Sequence, residues 1–415
     1  MSKLDTAINN SQKFLNWFAF FSIFTAIKIG GISITFFIFI LICYIFIKNN
    51  IKLFKVETKT DYILLIFGVI IVFSALFAEE ITRNRSIISI LKLPIQYLYW
   101  ITLALFIKTW INKFNYLEMS KYIFYAVIVS TFYYIFLNNI YLVFYPNEFA
   151  YVIILSFPLA VYYITKQFTL KSVIFISLLV LLGIVWSESR TGLVLFLMEI
   201  FLLFYIMIPK LRILTYSFLF LMVPLIYFTY SLMDINKNDI RNYKLELADY
   251  LEDISPKYAY TLRMEEDVSK RDKSLLIRFL MYQKAEKIFN ENPILGVGIG
   301  NFTYYNVDFD MTKASRWLTR SEDRYNKASA QNSYLMILAE TGLLGIVSLS
   351  IIFISILFYG IKSLFFQFDK IKLFIFIGFL VLFFYGFILV TIQGASFWLL
   401  LGLSLLLLER EKKLQ

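Results

Sequence analysis

The sequence predicts an all-α polytopic membrane protein of about twelve transmembrane helices, with one large, mainly helical extracytoplasmic loop between spans nine and ten. Three observations lead there. Of 415 residues, 60% are hydrophobic and only 17% charged, against about 25% charged in soluble domains. A span needs roughly 20 apolar residues, so twelve would use almost the whole apolar inventory. The apolar residues also fall into runs, over 12–28, 32–47, 62–78, 87–107, 121–137, 147–165, 172–187, 191–208, 213–230, 332–358, 373–390 and 394–408. The third observation is charge asymmetry. Alternate connections hold Lys48, Lys52, Lys55 and Lys59, then Lys108, Lys113 and Lys121, then Lys166 and Lys171, then Lys210 and Arg212, then Lys362, Lys370 and Lys372. With Lys3, Lys13, Arg410, Lys412 and Lys413 that side has 19 cations, whereas the opposite short connections have four, Lys28, Arg83, Arg85 and Arg190.

By the positive-inside rule both termini are cytoplasmic. The net charge of +11 therefore reports topology and no nucleic-acid partner. No cleavable signal is expected, because the first apolar run leads straight into the second through Lys28-Ile-Gly-Gly. Residues 1–230 carry spans one to nine, 231–330 form the loop, and 331–415 carry spans ten to twelve and a cytoplasmic tail. The loop holds 16 cationic and 16 acidic residues. Within it, Ile277, Leu280, Met281, Ala285 and Ile288 recur at the spacing of one helix face over 274–291. Asn292-Pro293, then Gly296, Gly298 and Gly300, end that helix abruptly.

Composition excludes several chemistries. The chain has no histidine, which removes Ser-His-Asp and Cys-His catalysis and His-ligated metals. Its single cysteine, Cys43, lies inside an apolar run, so no intrachain disulfide or multi-cysteine metal site can form. A soluble enzyme and a disordered chain are excluded by hydropathy.

Four polar patches interrupt the apolar pattern. They are Trp186-Ser-Glu-Ser-Arg190-Thr-Gly192, at the outer junction of two spans; Arg278 with Asn292-Pro-Ile-Leu-Gly-Val-Gly-Ile-Gly-Asn-Phe302; Gln331-Asn332 with nine residues and then Gly342-Leu-Leu-Gly345; and Tyr145-Pro-Asn147-Glu-Phe-Ala150. In order, spacing and placement these resemble the O-antigen ligase family, which also contains polymerases of lipid-linked bacterial polysaccharides. The family has a His-Asn pair, nine residues and Gly-x-x-Gly after its large periplasmic loop, a Ser-Arg motif before a span, and a loop arginine before Pro-x-x-Gly-x-Gly.

The resemblance implies a metal-independent membrane glycosyltransferase without cofactor in the bacterial inner membrane. Its donor would be a glycan on undecaprenyl pyrophosphate, its acceptor lipid A-core or another lipid-linked glycan, and membrane lipids would surround it. Arg190 and Arg278 are then the expected clamp on the departing diphosphate, since the guanidinium fork binds phosphate oxygens bidentately and stays charged. Asn332, Asn147, Arg83, Arg85 and Glu80 are further expected substrate contacts. The sequence departs from the family at Gln331, where the family histidine is thought to assist or orient the acceptor hydroxyl. Glutamine hydrogen-bonds but takes no proton near neutral pH. Three readings stay open: Gln331 positions the acceptor, a carboxylate elsewhere (Glu79, Glu80 or Asp308) is the base, or the protein is an inactive member.

Other features read more plainly. Asp308-Phe-Asp310 looks like a metal-binding acid triplet, but such triplets are common by chance. Glu340, nine residues beyond Gln331, would lie on the opposite face of a continuous helix and is expected to hydrogen-bond within the bundle. Glu199 sits mid-span, where a charge is costly, either lining a lipid path or packed and neutral. The glycine run lacks a βαβ context for dinucleotide binding and is read as a flexible, tight loop near the substrate. A lipid-linked glycan transporter would share the span count, but no internal repeat with broken helices is evident.

Overall fold

The computed structural model describes residues 3–24, 28–29, 32–77, 87–137, 145–187, 189–207, 270–307, 330, 332–366, 370–387, 389–392 and 394–408, with 28–29, 32, 87–89, 146, 190, 270–279 and 365–366 described in backbone alone. The regular structure of the described chain is mainly helical: α1 (Lys3–Ile23), α2 (Ile34–Lys48), α3 (Lys59–Leu76), α4 (Ile87–Trp110), α5 (Tyr116–Phe136), α6 (Pro146–Gln167), α7 (Leu170–Trp186), α8 (Arg190–Met207), α9 (Lys270–Glu291), α10 (Ser333–Phe366), α11 (Lys370–Tyr385) and α12 (Ala395–Ser404). The only strands among the described residues form a two-residue antiparallel ladder, β1 (Lys28–Ile29) with β2 (Ile32–Ser33), that turns the chain between α1 and α2. Eleven of the apolar runs become helices, the twelfth helix is the amphipathic α9, and the run at 213–230 lies outside the described residues.

Five of these helices are long and apolar enough to cross a membrane, over Lys59–Leu76, Ile90–Lys113, Tyr116–Phe136, Asn147–Gln167 and Ser333–Leu364. Their outward faces are apolar, as are those of their neighbours: Tyr62, Ile66, Val69 and Phe73 on α3, Phe175, Leu178 and Leu182 on α7, and Ile351, Ile354 and Phe358 on α10 are all exposed. An exposed apolar girdle of this extent belongs against lipid. Two of the apolar helices, α11 and α12, lie inside the bundle. On α11, Leu373 to Phe379 are buried without a break, and on α12 every residue from Ala395 to Ser404 is buried. Around them, α11 packs on α6, α8 and α10, α12 packs on α4, and α3 packs on α10.

Two local features set the frame. At the end that carries Lys59, Thr58 and Asp61 form a capping box for α3. The Asp61 carboxylate also takes the Lys108 ammonium at 2.5 Å, with both side chains buried. Lys108, counted above among the cations of the cytoplasmic connections, is thus neutralised by an acid on the neighbouring helix. The second feature is a break in α10. At Gly342 the backbone takes φ 62°, ψ −159°, part-way along a helical stretch of 34 residues. A continuous 34-residue helix would be ~50 Å long, against ~30 Å of hydrocarbon. The part after the break, 343–366, is by itself ~36 Å and can span; the part before it, 333–341, is a separate segment that carries the polar motif.

Candidate active site

Ser189 and Arg190 owe their placement to a helix start. Ser189 Oγ accepts from Gly192 N at 3.2 Å, capping α8 so that Arg190 is its first residue. The same hydroxyl donates to Asn147 Oδ1 at 2.8 Å, in the first turn of α6. Two patches 42 residues apart in sequence are joined by this bond. Gly192 is required here: a Cβ would lie 2.6 Å from Ala150 Cβ and 3.1 Å from the Tyr385 hydroxyl. Arg190 therefore opens a helix whose N-terminal dipole already favours an anion.

The Gln331-Asn332 patch also opens a helix. Asn332 Oδ1 accepts from Tyr334 N at 2.9 Å and Leu335 N at 3.1 Å, which caps α10. That commits the amide oxygen to the helix start. Next to it, Ser333 N donates to Gly386 O at 2.7 Å. Ser333 Oγ donates to Leu389 O at 2.9 Å and accepts from Thr391 N at 2.8 Å. Tyr334 OH donates to Phe383 O at 2.7 Å. The C-terminal end of α11, at Tyr385 and Gly386, thus touches the Ser189–Gly192 corner on one side and Ser333 on the other. Two capped helix N-termini, of α8 and α10, converge on one place, and Tyr385 packs there against Tyr151 of α6 with ring centroids 5.3 Å apart.

The third patch closes over α10 through main-chain bonds. Val297 N donates to Ala339 O at 3.0 Å and Gly298 N to Glu340 O at 2.9 Å, while Leu343 N donates to Pro293 O at 2.8 Å and Leu344 N to Ile294 O at 3.3 Å. These bonds satisfy the groups freed by the break at Gly342, which a non-helical backbone in a membrane protein requires. Close approach is possible only because Gly296 and Gly342 lack side chains. A Cβ on Gly296 would sit 2.4 Å from the Glu340 carbonyl carbon, and one on Gly342 2.3 Å from Ile294 O. The glycine loop is tight as expected, and its glycines are used for backbone contact. Glu340 does hydrogen-bond within the bundle: its Oε1 accepts from Phe302 N at 3.2 Å.

Helix α9 joins the same assembly. Leu280, Met281, Ala285 and Ile288 are buried as the spacing predicted, and α9 packs on α10. Arg278 lies on α9 about two helical turns before Ala285, on the same face; its side chain is outside the described residues, as is that of Arg190. Lys284 is fully buried, with its ammonium 4.9 Å from the Phe302 ring centroid. Burial pushes that amine down to about 8. Gln331, Arg83, Arg85, Glu79, Glu80, Asp308 and Asp310 lie outside the described residues. Glu199 is buried on α8, and neither carboxylate oxygen has a partner among the described residues. Sequence reasoning missed Tyr385, Ser333 and Thr391. Nothing marks a tyrosine at the end of an apolar run, and only the fold brings it to Ser189.

Residues 175–350 match the family model described as O-antigen ligase. That stretch is similar to an O-antigen ligase domain. This domain takes in Ser189-Arg190, Arg278, the glycine loop, Gln331-Asn332 and the Gly342 break, so each part of the assembly except the α6 and α11 contributions lies within the matched stretch. The family is one of membrane glycosyltransferases acting on lipid-linked glycans and lipid acceptors. A comparison with curated proteins finds no match.

Proposed function

We propose that this protein moves a glycan from undecaprenyl pyrophosphate to a hydroxyl of lipid A-core, as an O-antigen ligase does. The observation that carries the proposal is the convergence of the capped N-termini of α8 and α10 on the end of α11. In this reading Arg190, at the positive end of α8, works beside the Gln331-Asn332 pair that opens α10. The acceptor oxygen attacks the anomeric carbon, the bond from that carbon to the diphosphate oxygen breaks, and undecaprenyl pyrophosphate leaves with both electrons. The acceptor's proton goes to water or to the leaving diphosphate. Arg190 and Arg278 offset the charge that develops on the diphosphate, where fixed cations in a low-dielectric site are most effective. Gln331 and the Asn332 amide orient the acceptor, and a centre with oxocarbenium character asks little base assistance of them.

In this reading the chain has twelve spans, both termini are cytoplasmic, 231–330 is the extracytoplasmic loop domain, and the site faces outward in the inner membrane. The 19-to-4 distribution of cations supports that orientation. Asn147 keeps its amide nitrogen for substrate while its oxygen holds Ser189; Arg83, Arg85 and Glu80 complete the outer rim. A deletion strain tests the acceptor. Free core with retained lipid-linked polymer supports a ligase. Single-repeat glycan on core would instead mark a polymerase, the alternative that the same family and donor chemistry favour. Unchanged glycans of every length would refute both.

A further inference from the structure

We propose that Glu340 is a positioning residue that locks the Arg278-bearing helix α9 to the Gln331-Asn332 end of α10 by anchoring the glycine loop. The importance of that register for turnover rests on the glycan-transfer reading above; the anchor itself does not.

Glu340 is 2% exposed and lies two residues before the break in α10. A carboxylate buried there is costly unless hydrogen bonds compensate it. Its Oε1 receives Phe302 N, and its own carbonyl receives Gly298 N, so one residue holds the loop at both sides of Gly300. Gly300 itself rests on α4, where its Cβ would lie 3.0 Å from Leu93 Cδ2. Phe302 is held a second time, by the Lys284 ammonium over its ring. Such a contact is attractive and stronger when desolvated. Phe302 is thus gripped through its N–H by α10 and through its ring by α9. Asn301 stiffens the span between, donating from Nδ2 to Val297 O at 2.8 Å. The last turns of α9 cannot shift along α10 without breaking the Glu340 bond. Arg278 is six residues before Lys284 on that helix, ~9 Å along it, and moves with it.

The test uses the full chain in liposomes in a Cys43→Ala background, with Ile294→Cys and Leu344→Cys added. These positions are linked by the Leu344 N to Ile294 O bond, and both side chains are exposed. Disulfide formation under mild oxidant then reports loop docking without any glycan substrate. Glu340→Ala should slow it by about tenfold or more, the expected effect of losing a hydrogen bond to a charged group. Glu340→Gln keeps an acceptor for Phe302 N and should stay within about threefold, so a fold defect is separable from a lost anchor. In a transfer assay, Glu340→Ala should lower kcat with KM nearly unchanged, and oxidation of the cysteine pair should restore kcat. An unchanged cross-linking rate in Glu340→Ala overturns the anchor. A cross-linked Glu340→Ala protein that stays inactive beside an active parent also overturns it, because the carboxylate then acts on the reaction directly. A parent with no transfer at all would refute the glycan-transfer reading, and the cross-linking arm would still decide the anchor.

Discussion

Gly296→Ala should undock the glycine loop from α10. At φ 67° an added Cβ would meet three main-chain atoms, the Glu340 carbonyl carbon at 2.4 Å, Ala339 O at 2.5 Å and Thr341 N at 2.6 Å. None of these can yield as a side chain can, so the loop must lift. A left-handed φ costs a residue with a Cβ about 1–2 kcal/mol. Lifting breaks the Val297–Ala339 and Gly298–Glu340 bonds, about 0.5–1.5 kcal/mol each, and strands the buried Glu340 oxygen, about 1–3 kcal/mol more. The total is about 3–8 kcal/mol. Hydrogen exchange followed by mass spectrometry on the peptide spanning 292–304 should then show the amides of Val297, Gly298 and Phe302 exchanging about 100-fold faster or more, since each 1.4 kcal/mol is tenfold. Gly394→Ala is the control: its nearest neighbours stand at 3.5 Å, and protection should not change. Undiminished protection in Gly296→Ala would refute the clamp.

Three further outcomes follow from single sites. Gln331→Ala should lower turnover by roughly one to two orders of magnitude, as for a lost positioning hydrogen bond, while Gln331→His should remain active and add a pH limb near ~6.5 to the rate profile. Asp61→Ala should destabilise the protein by about 3–5 kcal/mol in thermal unfolding, because it strands the buried Lys108 ammonium, whereas Asp61→Leu combined with Lys108→Met should recover most of that loss. Lys284 releases its proton at about 8 when folded and at 10.5 when unfolded. The unfolded chain therefore binds more protons between those values, and stability should rise with pH from about 8 to about 10.5; Lys284→Met should abolish that slope in denaturation titrations.

The helices were legible because apolar runs and the α9 face obey simple periods, and those periods are set by burial or lipid contact over many residues. The polar patches were legible as interruptions of that pattern. What joins them was not. The Ser189–Asn147 bond closes across 42 residues, and Tyr385 carries no local signal. The span containing Gln331-Asn332 reads as one continuous apolar helix, because Gly342 inside an apolar run does not announce a break. The break exists because a distant loop, at Pro293 and Ile294, supplies acceptors for the Leu343 and Leu344 amides. Lys108 reads as an unpaired charge of a connection in sequence, and only the fold sets Asp61 against it. Asn332 reads as a substrate contact and Ser189 as part of a motif in sequence, and only the fold shows their side-chain oxygens capping helices.

The most direct measurement is glycan transfer by the purified protein in liposomes that contain undecaprenyl-pyrophosphate-linked glycan and lipid A-core. The account predicts glycan on core with stoichiometric release of undecaprenyl pyrophosphate, and no effect of a chelator. Arg190→Ala and Arg278→Ala should each abolish transfer with folding intact, and lysine at either position should restore only part, since it keeps the charge and loses the fork. Movement of intact lipid-linked glycan across the bilayer without transfer to either acceptor, or full transfer by both alanine variants, would contradict it.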